Sequence, residues 1–229
     1  MQNGDLAGAT VVFDLDGTLV DTAPDLVRAL NQTLDLEGLA HVSLPAVRRL
    51  IGQGARVMIE RGAELAGARF SEERLDQLTN AFVAFYAADI AAESAPFPGA
   101  EAALDDLARA GATLAVCTNK RTALSRQLLD ALNLTRRFAA IVGADSVANR
   151  KPHGDHYRES VGRAGGALAR SVMIGDTTID VAAARAAGAP SIVVSFGYCD
   201  VAPEDMGAEA VIARFAEAGA AARRLLPRG

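Results

Sequence analysis

The run Val11 to Leu15, VVFDL, is apolar apart from one aspartate and breaks off at Asp16-Gly17-Thr18. Strands covered on both faces read as near-continuous apolar runs, and aspartate and glycine end them in turns, so this stretch predicts a buried strand entering a turn. From Thr22 to about Ile90 the pattern becomes helical. Leu26, Leu30 and Leu34 recur at helical spacing, as do Leu75, Leu78, Phe82 and Phe85, and no strand interrupts them. From Phe97 onward helices and strands alternate. The expected elements are helix 100–109 closed by Gly111, strand 113–117, helix 122–132, strand 140–142, helix 155–164 and strand 171–174. Helix 179–187, strand 191–194, a short strand near 210–212 and a helix running to Leu226 follow.

Alternation of that kind predicts an α/β fold, with a Rossmann-like parallel sheet core and helices on both faces. The helical stretch of roughly 75 residues interrupts it directly after the first strand. Residues 1–20 and 97–229 are therefore expected to form the core, and 21–96 an inserted all-helical cap domain. Ligands bind outside the carboxyl ends of the strands in open parallel sheets, so an insertion leaving from that end should overhang the site as a lid. Its junctions fall near Asp21 and at Pro96 to Pro98, where proline and glycine suggest a stiff hinge.

Composition narrows the partners. Half of the 229 residues are apolar and the net charge is −5 with a pI of about 5.3, which describes a globular acidic protein without a basic stripe. Nucleic acid and anionic membrane are thereby disfavoured, and a small soluble substrate fits better. The first ten residues lack a basic start and an apolar core, and no run reaches the length of a membrane span, so a cytoplasmic protein is expected, as a monomer or homodimer. Cys117 and Cys199 have no neighbours at metal-ligand spacing and read as small buried hydrophobes. Of the 23 basic residues only Lys120 and Lys151 are lysines, which singles both out for inspection.

The chemistry collects at the strand ends. Asp14 and Asp16 project to one side of the first strand's end, and two carboxylates in so small a space imply a hard cation or a shared proton. Thr118 and Asn119 follow the second strand, offering a hydroxyl and an amide to phosphoryl oxygens. Lys151-Pro152 lies a few residues past the third strand, with a compact ammonium suited to a phosphate or a nucleophilic carboxylate. Gly175-Asp176 ends the fourth, and Asp180 stands one helical turn on. Each group has an ordinary alternative as a turn residue, surface charge or helix-start acid, but the four together match what phosphoryl transfer needs.

This arrangement resembles the haloacid dehalogenase-like superfamily, whose four motifs stand here as Asp14-Leu15-Asp16-Gly17-Thr18, Thr118-Asn119, Lys151-Pro152 and Gly175-Asp176-Thr177-Thr178-Ile179-Asp180. The segments DGTLVDTAPDL, IGQGAR, PFPGAEAAL, TNK, VGAD and FGY are similar to the phosphoglycolate phosphatase group within it. The resemblance implies a phosphomonoester hydrolase working through an aspartyl phosphate. Asp14 would be the nucleophile and Asp16 the general acid and base, and Thr118, Asn119 and Lys151 would hold the phosphoryl group. Mg²⁺ would be bound by Asp14, the backbone carbonyl of Asp16 and Asp176, with Asp180 acting from nearby. It also makes the loop bearing Gly52 and Gly54 part of substrate choice, with 2-phosphoglycolate as the leading substrate. The alternatives within the family are a sugar or amino-sugar phosphate, a nucleotide or pyrophosphate.

Two departures stand out: Thr177 replaces the usual serine, and His153-Gly154-Asp155-His156 follows Lys151-Pro152 where the pattern has a second proline. The second puts the start of the next helix in question. His153 and His156 lack a third ligand and read as a solvated helix face, and His41 shows no partner. Asp16 argues against a dehalogenase, and the absence of lysine from residues 21–98 argues against a phosphonate hydrolase that forms a Schiff base there. A sugar-phosphate mutase resembles the chain less around Thr118-Asn119-Lys120. A phospho-accepting switch domain would be about half as long and lidless, and no G-x-G-x-x-G follows the first strand as a nucleotide-binding redox domain requires. With no lysine in the lid, a carboxylate on the substrate must be read by arginine or backbone N–H groups. Arg56, just past Gly52 and Gly54 at a helix start, is the expected reader.

Overall fold

A computed structural model describes residues 5–226. In chain order the elements are β1 (Thr10–Phe13), β2 (Val20–Asp21), α1 (Ala23–Asp35), α2 (Leu44–Val47), α3 (Ala55–Leu65), α4 (Glu72–Ala88), β3 (Ala95–Pro96), α5 (Ala100–Arg109), β4 (Thr113–Thr118) and α6 (Thr122–Ala131). The chain continues through β5 (Ala140–Gly143), α7 (Gly154–Arg163), β6 (Ser171–Gly175), α8 (Thr178–Ala187), β7 (Ser191–Val194), β8 (Ala210–Ile212) and α9 (Ala218–Leu225).

Six strands form one parallel sheet in the order β5-β4-β1-β6-β7-β8. Successive side chains of β1 leave opposite faces, and both faces are dry: Val11 and Phe13 join the larger apolar cluster, Val12 the smaller one with Cys117, Val142 and Tyr157. That double burial makes the strand an apolar run rather than an alternating one. Chain order reverses at β1, with β4 and β5 to one side and β6, β7 and β8 to the other, which opens a crevice at the carboxyl ends. The register aligns Phe13 with Val116 and with Ile174, and the Asp14 amide donates to the Ile174 carbonyl at 2.9 Å. Asp14, Thr118 and Asp176 consequently emerge side by side.

Helices α1 to α4 pack on one another beside that crevice, burying Leu30, Ile59, Leu78, Phe82 and Tyr86. Their connection to the sheet is a feature that sequence patterning missed. Val20 pairs with Pro96 and Asp21 with Ala95, so the two crossing chains run as a two-residue antiparallel ribbon where a bare hinge was expected. Tyr198 locks the ribbon to α1: its hydroxyl accepts from the Thr22 and Ala23 amides at 2.7 and 2.8 Å and donates to Asp21 at 2.9 Å. Buried Asp25 adds a second tie, accepting from the Ser94 amide at 2.8 Å and its hydroxyl at 2.6 Å.

The element expectations hold to within a residue or two, and the helix start that His153-Gly154 put in question is present at Gly154. His153 caps it, its Nδ1 accepting from the Asp155 amide at 3.3 Å. Gly154 is there because α7 and α8 touch through backbone: a Cβ would lie 2.7 Å from the Ala186 carbonyl carbon. His156 does not lie on a solvated face. It is fully buried, which corrects that expectation, because both ring nitrogens find backbone partners. Exposed His41, expected to be alone, meets Asp35 at 2.8 Å.

Candidate active site

Asp14 leaves the end of β1 into an almost closed environment, 4% exposed, with Lys151 Nζ 2.8 Å from Oδ1. Burial pushes its pKa up to about 7, against the opposing pull of Lys151. Lys151 is itself buried and also meets Asp180 Oδ1 at 2.7 Å, and the two carboxylates outweigh burial and hold the ammonium charged. The backbone at Lys151 is braced by His156, whose Nδ1 accepts from the Lys151 amide at 3.2 Å while Nε2 donates to the Val142 carbonyl at 3.1 Å. Burial, then the charge of Lys151, lowers the His156 pKa to about 4, so the ring is neutral and its tautomer is set by those two bonds.

Asp176 ends β6 with no exposure. Thr18 donates to Oδ1 at 2.7 Å and the Tyr198 amide to Oδ2 at 2.8 Å, while burial and the neighbouring carboxylates of Asp180 and Asp14 raise its pKa well above the ordinary range. Gly17 permits this approach. Its φ is +82°, and a Cβ there would stand 2.4 Å from Asp176 Oδ2. Asp180 is used up locally: Oδ2 accepts from the Asp176 and Thr177 amides at 3.3 and 3.1 Å and from the Thr177 hydroxyl at 2.8 Å. Threonine in place of serine keeps that hydroxyl bond.

Oxygens of Asp14, Asp176 and Asp180 all lie within 4.8 Å of one another. Three buried carboxylates that close raise one another's cost of ionisation, and a hard oxygen-seeking divalent cation is the partner such a donor set fits. The carboxylate of Asp16 lies outside this group. Its Oδ1 accepts from the Thr22 hydroxyl at 2.7 Å and from Lys120, and the ligand that the resemblance implies at this residue is the backbone carbonyl.

Thr118 is buried at the end of β4, its hydroxyl accepting from the Lys120 amide at 3.2 Å. Asn119 reaches two ways, Nδ2 donating to the Lys151 carbonyl at 3.1 Å and to the Gly52 carbonyl at 3.2 Å. A cavity of about 340 Å³ lies between sheet and helices, lined by Asp14, Asp16, Thr118 and Asn119 on one side and by Gly52, Gly54 and Arg56 on the other. Arg56 faces three acids there: Nε lies 3.5 Å from Glu60, Nη2 2.5 Å from Glu72, and Nη1 against Asp76. Its guanidinium is thus ion-paired within the helical segment while standing on the cavity wall. Lys120, flagged by lysine scarcity but given no role, connects Asp16 to the Tyr86 hydroxyl of α4 at 2.9 Å. Tyr86 and His156 are further residues of the site without a local signal for that placement, whereas Thr22 and Tyr198 fall inside the segments DGTLVDTAPDL and FGY.

An open parallel sheet with carboxylates, a threonine and a buried lysine gathered at its strand ends is the architecture of an α/β enzyme that handles anionic groups. The family model for haloacid dehalogenase-like hydrolases matches residues 11–194, and the chain belongs to that family. It is 50% identical over 222 residues to a phosphoglycolate phosphatase of Caulobacter vibrioides, covering 97% of this chain and 94% of that one. A phosphoglycolate phosphatase of Agrobacterium fabrum is 48% identical over 205 residues, covering 90% and 88%. The crystal structure of a predicted phosphoglycolate phosphatase from Haemophilus somnus superposes with a TM-score of 0.87 at 27% identity, covering 94% of this chain and 97% of that one. Among the described residues no helix is long and apolar enough to cross a membrane.

Proposed function

We propose that this chain hydrolyses 2-phosphoglycolate, with residues 21–96 as a cap over the core site, Mg²⁺ as cofactor and Asp14 as nucleophile. The observation that carries the reading is Asp14 itself: a buried carboxylate 2.8 Å from a buried ammonium, with Asp176 and Asp180 beside it and Asp16 two residues on. Two relatives near 50% identity along nearly their whole length support the substrate.

An oxygen of Asp14 attacks phosphorus, the bond from phosphorus to the substrate's alkoxide oxygen breaks, and Asp16 gives that oxygen its proton. The resulting aspartyl phosphate is cleaved by water, from which Asp16 takes a proton as phosphate leaves and Asp14 is regenerated. Lys151 and Thr118 hold the phosphoryl oxygens through the in-line exchange, and Asn119 keeps their two loops together. Thr22 and Lys120 aim Asp16. Asp14, Asp176 and the Asp16 carbonyl would hold Mg²⁺, which when bound would supply the positive charge that offsets the repulsion between a carboxylate nucleophile and an anionic phosphate.

Steady-state assays of the purified chain on 2-phosphoglycolate, a hexose phosphate and a nucleoside monophosphate test this, with Mg²⁺ and with excess chelator. The expected result is the highest kcat/KM on 2-phosphoglycolate, lost with chelator and restored by Mg²⁺. Preference for either of the other substrates overturns the substrate, and full activity in chelator overturns the cofactor.

A further inference from the structure

We propose that Arg150, at the junction between the Lys151 loop and the Gly52–Gly54 loop, recognises the carboxylate of the phosphorylated acid; this rests on the 2-phosphoglycolate reading above. Four cations line the cavity: Arg56, Lys120, Arg121 and Arg150. A substrate that brings a carboxylate as well as a phosphate must find a positive charge not already spent. Arg56 is ringed by Glu60, Glu72 and Asp76, and Lys120 is paired with Asp16. Lys151, in the adjoining cleft, is shared by Asp14 and Asp180. Arg121 stands near Asp145, whose Oδ1 accepts from the Thr122 amide and hydroxyl at 2.8 and 2.7 Å, and it makes no ion pair there. Arg121 and Arg150 are thus the two lining cations without a carboxylate ion pair among the described residues, and of these Arg150 is the one that also lines the cleft beside Lys151.

Its place suits the task. It precedes the lysine that grips Asp14, and it lines both the active-site cavity and the open cleft beside Lys151 and Pro152, so it stands where the two communicate. A Cβ at Gly54 would lie 2.9 Å from Arg150 Nη1, so the guanidinium rests against backbone at the start of α3, where amide groups lack intrahelical acceptors. Asn119 stands in the same walls and is nine-tenths buried. Its Nδ2 is spent on Gly52 and Lys151 but its Oδ1 has no donor among the described residues, and a guanidinium edge is the kind of donor it lacks. With five donors in a planar fork, arginine can serve that oxygen on one edge and a carboxylate on the other. The phosphate end would sit on Asp14 and the carboxylate end against Arg150, at the seam where the helical segment meets the core.

The test is discrimination between two substrates, 2-phosphoglycolate and p-nitrophenyl phosphate, in wild type, Arg150→Leu, Arg150→Lys and Arg56→Leu. Arg150→Leu should cost kcat/KM on 2-phosphoglycolate about 10- to 100-fold more than on the aryl phosphate, the worth of one charge-assisted pair. Arg150→Lys should recover part of the difference, and Arg56→Leu should lower both substrates in equal proportion. Equal losses from Arg150→Leu, or a selective loss from Arg56→Leu instead, overturn the assignment of Arg150 while wild-type turnover of 2-phosphoglycolate leaves the proposed function standing. A wild-type enzyme that does not turn over 2-phosphoglycolate overturns both.

Discussion

The ammonium of Lys120 sits 2.9 Å from the Tyr86 hydroxyl and 4.5 Å from the centre of that ring, on a helix that belongs to the inserted segment. The same ammonium donates to Asp16, and it is 5% exposed. Burial opposes its charge, but Asp16 and Tyr86 outweigh that and hold its pKa above the ordinary value, while burial moves the Tyr86 hydroxyl up to about 12. One side chain therefore links the helical segment to the carboxylate assigned as acid and base. Lys120→Met should lower kcat by about 10- to 100-fold, because Asp16 keeps only Thr22 to aim it. Tyr86→Phe, which leaves the ring and removes one bond, should cost no more than about 5-fold. Single-turnover measurement of phosphoenzyme formation and breakdown should show both steps slowed in Lys120→Met; a wild-type kcat there would remove Lys120 from the machinery.

Asp14→Asn should abolish turnover, by at least about 10⁴-fold, since an amide oxygen is a poor nucleophile toward phosphorus. Its effect on the fold should run the other way. Ionised Asp14 is held among two other buried carboxylates, and Lys151 retains Asp180 when Asp14 is neutralised. In chelator at pH 8 the variant should melt at or above the wild-type temperature. Added Mg²⁺ should raise the wild-type melting temperature and move the variant less, because binding to the native state adds RT ln(1 + [L]/Kd) of stability. Equal shifts in both proteins would take Asp14 out of the metal site.

Sequence patterning recovered what strand burial and strand-end chemistry dictate. Val11, Val12 and Phe13 are apolar because both faces of β1 are covered, and the break at Asp14 follows from its lying beyond that cover. What patterning missed is non-local. The Val20–Pro96 ribbon spans two residues a side and exists only because the inserted helices bring its halves together. Tyr86 falls on the apolar spacing of α4 and reads as core, although its hydroxyl reaches Lys120. The sequence Gly-Asp-His-Tyr-Arg-Glu of α7 looks solvated, and His156 is buried only because a β5 carbonyl and the Lys151 amide stand opposite its nitrogens. Arg56 sits as expected beside Gly54, but the acids that neutralise it include two on α4, outside any local window.

Gly154→Ala should be destabilising although alanine is the better helix former. The new Cβ would stand 2.7 Å from the Ala186 carbonyl carbon and 2.8 Å from its oxygen, and backbone on both sides leaves nothing that can give cheaply. Forced separation of α7 and α8 should cost about 1–3 kcal/mol, more than the roughly 1 kcal/mol that helix propensity returns. Since α7 also carries His156, activity should fall along with the urea midpoint. A variant as stable as wild type would mean that the two helices do not pack this closely.

The pH dependence of stability should carry the signature of His156. An unfolded histidine takes up its proton near pH 6.5, whereas burial and Lys151 hold the native ring unprotonated down to about pH 4. Between those values the unfolded state binds one more proton than the native state, so the derivative of unfolding free energy with pH is positive and stability falls as pH falls. The contribution is fully present above about pH 6.5 and declines by up to about 1.4 kcal/mol per pH unit, reaching about 3 kcal/mol near pH 4. Asp14 and Asp176, whose pKa values are raised, act with the opposite sign in part of this window. Both are present in His156→Gln, which keeps a side-chain donor for the Val142 carbonyl but cannot titrate. The informative quantity is therefore the difference between the two proteins. Urea unfolding from pH 7 to pH 4.5 should show wild type losing stability more steeply than His156→Gln, by about 2 kcal/mol over the range. Parallel curves would mean that the native ring takes up its proton as readily as the unfolded one, and that the neutral brace on Lys151 is not maintained.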